Sequence, residues 1–329
     1  MNKKLLAIAV GAALSTAPMF ASAGVKVYGH AQVEVGTVDN GTTSTTEVQD
    51  NARGRIGFKA KEKLGNGMTA MAKFEFKTDT TDGISKEADG KESLTGRELM
   101  IGLKGNFGTI SAGQLKSAYK YTGGVKYDPF VATMIEARGA NGMSKGELGN
   151  GAFGHNSFLA NSIGYKSPKM NGFSAWATWS PDENSSSSAS ANGADGDYSF
   201  ALKFKQKGWE VFVAGVNNDD AAGGDAIKFG GMYKFGNFKI VGQYEQLDRA
   251  AASDIDIYFI GGQAKFGNNV VVAQFGNKDI DGGASLDYYT IGLIHNLSKK
   301  TRLTAGFRSY ESSATTDVDT FAVGMRVKF

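Results

Sequence analysis

The chain has 329 residues, 41% hydrophobic and 21% charged, with 45 glycines, 4 prolines, 3 histidines and no cysteine. Disulfide scaffolds, thiolate metal sites and thiol nucleophiles are therefore excluded, and a formal charge of +3 is too small to point to nucleic acid. Glycine at roughly twice its usual share argues against a helix-rich fold, and no apolar run reaches the ~18 residues of a membrane helix.

Residues 1–23 have the order of a secretory signal. Lys3 and Lys4 form a positive n-region, Leu5 to Leu14 is apolar, Pro18 breaks the run, and Ala21-Ser22-Ala23 is a small-residue cleavage pattern. The folded protein is expected over residues 24–329.

From there on, the period is two. Val25, Val27, Ala31, Val33 and Val35 alternate with Lys26, Tyr28, His30, Gln32 and Glu34. Ile56, Phe58 and Ala60 alternate with Arg55, Gly57, Lys59 and Lys61, and Met68, Ala70, Ala72, Phe74 and Phe76 with Thr69, Met71, Lys73, Glu75 and Lys77. The pattern ends with Phe321, Val323, Met325, Val327 and Phe329 on one face, and Ala322, Gly324, Arg326 and Lys328 on the other. Short Gly- and Asn-rich turns fall at 64–67, 105–108, 168–172, 207–208, 236–237, 267–269 and 297–299. Long polar connections fall at 38–50, 80–94, 117–156, 182–194, 219–224, 249–253, 279–284 and 312–316. The two kinds alternate, which gives fifteen connections and about sixteen antiparallel strands.

A soluble sandwich would bury one face of each sheet. A membrane barrel turns its apolar face to lipid and its polar face to water. Short turns at one end, long loops at the other, and frequent charges on the polar face favour the barrel. The expected fold is all-β: a transmembrane, up-and-down barrel of 16 strands. Tyr127, Phe130, Trp176, Trp179, Trp209, Phe235, Phe238, Phe266, Phe275 and Phe329 lie near strand ends or turns, where interfacial girdles are expected.

Several strings resemble the trimeric general porins of Gram-negative bacteria, of the neisserial and beta-proteobacterial type. They are Val27-Tyr28-Gly29, Arg55-Ile56-Gly57-Phe58-Lys59 with Glu62-Lys63-Leu64-Gly65-Asn66-Gly67, and Arg97-Glu98-Leu99-Met100-Ile101-Gly102-Leu103-Lys104-Gly105. Phe107-Gly108-Thr109 with Gly113, Asn161-Ser162-Ile163-Gly164-Tyr165-Lys166-Ser167-Pro168 with Gly172-Phe173, and the terminal Phe329 complete the set. The resemblance implies an outer-membrane homotrimer whose third loop, residues 117–156, folds into each barrel as a constriction. It implies passive diffusion of small hydrophilic solutes and ions, with no cofactor or metal. Outer-membrane lipid, lipopolysaccharide and the barrel-assembly machinery are the implied partners, with Phe329 as the assembly signal.

The third loop carries apolar anchors (Val131, Met134, Ile135, Phe153) and the acids Asp128, Glu136 and Glu147. The family pattern opposes such acids to basic residues on the wall, and by resemblance Arg55 and Arg97 match two of these. Alternation itself puts Arg53, Arg55, Lys59 and Lys73 on the lumen face, but sets Arg97 among the outward Leu99, Ile101 and Leu103. The arginine usual before the Asn-Ser pair is replaced by Phe158-Leu159-Ala160.

Other motifs lack context. Gly149-Asn-Gly151-Ala-Phe-Gly154 follows no strand of a βαβ unit. His155-Asn156-Ser157 is contiguous, the wrong geometry for a nucleophile and base. Two rival readings are a substrate-specific outer-membrane channel and an outer-membrane barrel enzyme.

Overall fold

The computed structural model describes residues 24–50, 54–81, 95–137, 158–181, 198–217, 224–249 and 253–329. The expected signal segment, Arg53, Glu147 and His155-Asn156-Ser157 lie outside the described residues.

The strands are β1 Lys26–Asp39, β2 Ser44–Gln49, β3 Gly54–Gly65, β4 Met68–Thr78, β5 Thr95–Gly105 and β6 Gly108–Lys116, then β7 Phe158–Lys166, β8 Phe173–Trp179, β9 Tyr198–Gln206, β10 Trp209–Asn217, β11 Gly224–Phe235 and β12 Phe238–Arg249. β13 Ile255–Phe266, β14 Asn269–Ile280, β15 Ser285–Asn296, β16 Thr301–Ser312 and β17 Val318–Lys328 complete the sheet. β1 pairs with β3 through Lys26 to His30, and with β2 through Glu34 to Asp39. β2 and β3 are thus two pieces of one stave, and the 17-stranded sheet is a ring of sixteen.

The ring closes where β1 pairs antiparallel with β17, from His30 opposite Lys328 to Asp39 opposite Asp319. Phe329 N–H donates to the Gly29 carbonyl at 3.1 Å, so the last residue is locked into the seam. Closure leaves no strand edge to meet lipid, where an unpaired backbone group would cost several kcal/mol, of order 2–7. Tight turns join neighbouring staves at one mouth. In the first, Asn66 and Gly67 both take positive φ, 48° and 74°, the conformation a two-residue hairpin needs.

The expected alternation holds at both ends of the chain. Phe321, Val323, Met325, Val327 and Phe329 are exposed on the outer face, whereas Gln32, Glu34, Ala322 and Arg326 are buried inside. Outward aromatics gather in two belts. Phe173, Phe204 and Trp209, with Tyr233, Phe235 and Phe238, ring the short-turn end. Phe229, Tyr244 and Tyr258, with Phe275 and Tyr289, ring the other.

Three expectations need correction. Tyr127 and Phe130 belong to no girdle: they are 3% and 0% exposed, packed inside the barrel. Trp176 faces the lumen in register with Lys166 and Ala201, because its neighbours Ala175 and Ala177 take the outward positions. Residues 38–50 are mostly strand rather than a long loop: β1 and β2 continue to a turn where Asn40 Oδ1 accepts the Thr42 and Thr43 amides. Above the membrane both faces of a hairpin are wet, so the Thr-rich strand there has no apolar alternation to show.

Three apolar clusters line the interior of β9 to β17, and residues 118–137 of the third loop pack on them. Tyr119 packs among Ala201, Ala214, Val216, Leu247 and Ile257. Tyr127 and Ala137 pack with Phe212, Val241, Phe259 and Tyr288, and Phe130, Met134 and Ile135 with Val272, Ile294 and Ala322. Burying each such side chain contributes roughly 1.5–3 kcal/mol. Two inward glycines make room: a Cβ on Gly292 would lie 2.7 Å from Phe130 Cζ, and one on Gly306 would lie 2.6 Å from Ile135 Cδ1.

Candidate functional site

Opposite the loop, the inward face of β3 to β6 carries charge. Glu75 of β4 is 2% exposed and is the centre of the cluster. It takes Arg97 Nε at 3.0 Å, Lys73 Nζ at 3.2 Å, Tyr28 OH at 2.8 Å and Arg55 Nη1 at 3.9 Å. Glu98 of β5 is held by Lys73 and by Lys116 Nζ at 2.9 Å. Arg55, Lys73, Arg97 and Lys116 thus share two carboxylates, which leaves the wall net positive.

Arg97 reaches this cluster because the β4–β5 register shifts. Glu98 stands opposite Glu75, yet Gly96 stands opposite Phe76, so Arg97 is an extra residue in a β-bulge. The bulge overrides the alternation that placed Arg97 outward. Its guanidinium also sits 4.8 Å from the Phe158 ring centroid.

Asp128 and Glu136 form a separate set. Both are buried, at 2% and 1% exposure. Asp128 accepts the amides of Phe130 and Ala137, each at 2.8 Å, and Gln274 Nε2 at 3.0 Å. Glu136 accepts the Ala132 amide at 2.6 Å. The two carboxylates tie the turn from Asp128 to Ala137 together, so they act on the loop's own backbone. Burial, reinforced by the Glu136 charge, pushes the Asp128 carboxyl up to about 6.

The wall grips the loop through further groups. Arg326 Nη2 donates to the Val131 and Ala132 carbonyls at 3.1 and 3.0 Å, and Arg302 Nη1 to Pro129 O at 3.2 Å. Glu34 accepts the Met134 amide at 2.7 Å. At the loop root, Tyr119 OH donates to Glu245 Oε2 at 2.8 Å, while Lys228 Nζ lies 4.1 Å from the Tyr119 ring centroid. Lys228 and Glu245, both 0% exposed, stand opposite each other across β11 and β12.

Sequence reasoning missed Glu75, Glu98, Lys116, Arg302, Arg326 and Tyr28 as members of the site, although alternation had put Tyr28, Glu75 and Arg326 on the inward face. Charge on a lumen face is common, and only the register shows which charges meet.

A family profile described as Gram-negative porin matches residues 7–315. The major outer membrane protein P.IB of Neisseria gonorrhoeae is 29% identical over 228 residues, covering 66% of this chain and 57% of that protein. The chain therefore spans little more than half of that relative's length. The major outer membrane protein P.IA of Neisseria meningitidis serogroup B is 24% identical over 322 residues, covering 78% of this chain and 76% of its own. Among solved structures, the anion-selective porin from Comamonas acidovorans superposes with a TM-score of 0.76 at 22% identity, covering 93% of this chain and 99% of that one. Salmonella typhi OmpF in complex with daunomycin gives 0.72 at 17% identity, covering 93% of this chain and 97% of its own.

Proposed function

We propose that this chain, which belongs to the Gram-negative porin family, is an outer-membrane channel through which small hydrophilic solutes and ions diffuse passively. The observation that carries this reading is a closed ring, apolar outside, whose interior sets a loop-covered side against a net-positive wall.

Arg55, Lys73 and Arg97, with Lys116, are proposed as the charged side of the constriction, attracting hydrated anions at close quarters. Asp128 and Glu136 are proposed to fix the loop that sets the width of the opening. Arg53 and Glu147 complete the proposed set from sequence alone, and residues 1–23 are proposed as the removed export signal. A homotrimer is supported by an outward groove lined by Ala60, Ala70, Ala72 and Ala112, where small side chains permit close approach of a second wall. Lipopolysaccharide and the assembly machinery are proposed contacts of the outer wall and of Phe329.

Single-channel recording in planar bilayers under a salt gradient tests the reading. Discrete conductance steps with an anion-side reversal potential are expected, and a purified barrel that never conducts would overturn it. Lipase and protease assays on the same material are expected to be negative.

A further inference from the structure

Towards the short-turn mouth, below Arg55 and Arg97, the inward face of β3 to β8 hollows into a recess of about 330 Å³. Met71 and Trp176 give its lining a partly open apolar surface, backed by the buried Met100 and Leu115. Its rim is cationic: Lys59, Lys61, Lys73, Lys104, Lys116 and Lys166. The acid in the lining is Glu98, already bridged by Lys73 and Lys116. Lys59 and Lys166 rest instead on aromatic faces, 4.0 Å from the Tyr28 centroid and 3.6 Å from the Trp176 centroid. A ring face attracts an ammonium group more weakly than a carboxylate does, so these cations keep most of their capacity for an anion.

A lysine rim around an apolar floor is more than an ion path needs. A hydrated chloride uses the rim alone and leaves the floor wetted at a cost. An anion with an apolar body uses both, its charge drawing Lys166 off the Trp176 face and its body displacing water from Met71 and Trp176. The space suffices, because a cavity of about 150 Å³ already takes benzene.

We propose that this recess is a binding station for compact organic anions, meaning a carboxylate or sulfonate carried on a ring-sized apolar body. The station rests on the channel reading, since a solute reaches it only through the lumen. It enriches such anions beside the constriction and gives them a saturable passage that chloride and acetate lack.

The test uses the full-length protein in planar bilayers, with chloride current recorded at fixed ionic strength. Benzoate is expected to reduce that current saturably, with half-block at a concentration at least tenfold below that of acetate. Benzyl alcohol, the same ring without charge, is expected to have no effect at that concentration. Trp176→Leu, and separately Lys104→Gln with Lys166→Gln, are expected to raise the benzoate half-block concentration at least fivefold. Equal block by benzoate and acetate in the unaltered channel would overturn the proposal, and so would an unchanged half-block in conducting variants. The unaltered channel decides the matter even where a variant fails to assemble. Absence of any chloride current would count against the diffusion reading itself, a distinguishable failure.

Discussion

Arg97 donates through Nε to Glu75 Oε1 at 3.0 Å across a register shift, so one extra residue in β5 turns an outward position into a lumenal cation. The pair links the local geometry of a strand to the charge of the passage. Glu75 serves Arg55, Lys73 and Tyr28 as well, which makes its carboxylate the point where the wall's repulsions are balanced.

Glu75→Gln removes that balance. The barrel is expected to lose about 2–3 kcal/mol of stability, the usual cost of leaving buried charges unpaired. Denaturant unfolding in detergent measures the loss. With one negative charge fewer, the reversal potential should move further to the anion side, and an unchanged potential would remove Glu75 from the filter.

Replacing Arg55 and Arg97 by glutamine acts in the opposite sense. The wall then loses two of its cations while Glu75 and Glu98 remain. Reversal potential under a salt gradient should shift towards cations, and a value equal to that of the unaltered channel would exclude both arginines from ion selection.

Asp128 gives the loop a pH dependence. Its folded carboxyl is raised from 3.8 to about 6 by burial first and the Glu136 charge second, so the folded protein favours the neutral form. Its contribution is complete below about pH 4 and lost as pH rises through about 6. The shift corresponds to at most about 3 kcal/mol. Melting temperatures of the wild type, measured against Asp128→Asn from pH 7 to pH 4, should rise relative to the variant as acid is added. A constant difference would show that this carboxyl does not titrate as described.

Tyr119→Phe deletes the hydroxyl that donates to Glu245 at 2.8 Å. Glu245 is fully buried and keeps Gln243 and Lys228 as neighbours, so the cost should be about 1–3 kcal/mol. Loosening the loop root should also increase open-channel current noise. Quiet recordings with unchanged stability would place the loop's hold elsewhere, in the Arg302 and Arg326 contacts.

Deletion of Phe329 removes the donor to Gly29 at the barrel seam. Less assembled, heat-modifiable barrel is expected in outer-membrane fractions. Normal yield would argue against a role for the terminal residue in assembly.

The ring of strands was legible in the sequence because each stave meets two solvents, and the side-chain period of two records that division. Phe321 to Phe329 and Val25 to Val35 show it most clearly. The tight turns were legible too, through the Gly and Asn residues that supply positive φ. What stayed hidden is whatever depends on a partner distant along the chain. Tyr127 and Phe130 read as interfacial aromatics because loop sequence does not say which surface the loop lies on. Trp176 read as a girdle residue because its aromatic type outweighed its phase.

Sequence by itself determined the number of staves and the face of Arg55 and Lys73, since both follow from local periodicity and turn chemistry. Only the tertiary structure decided, against the alternation, how Arg97 turns inward, that Asp128 and Glu136 bind loop amides, and that Arg302 and Arg326 clamp the loop. Those outcomes depend on register between strands and on contacts across the lumen. One bulge reverses a side chain's direction, and the buried carboxylates of Glu34 and Asp128 meet partners 100 and 146 positions away.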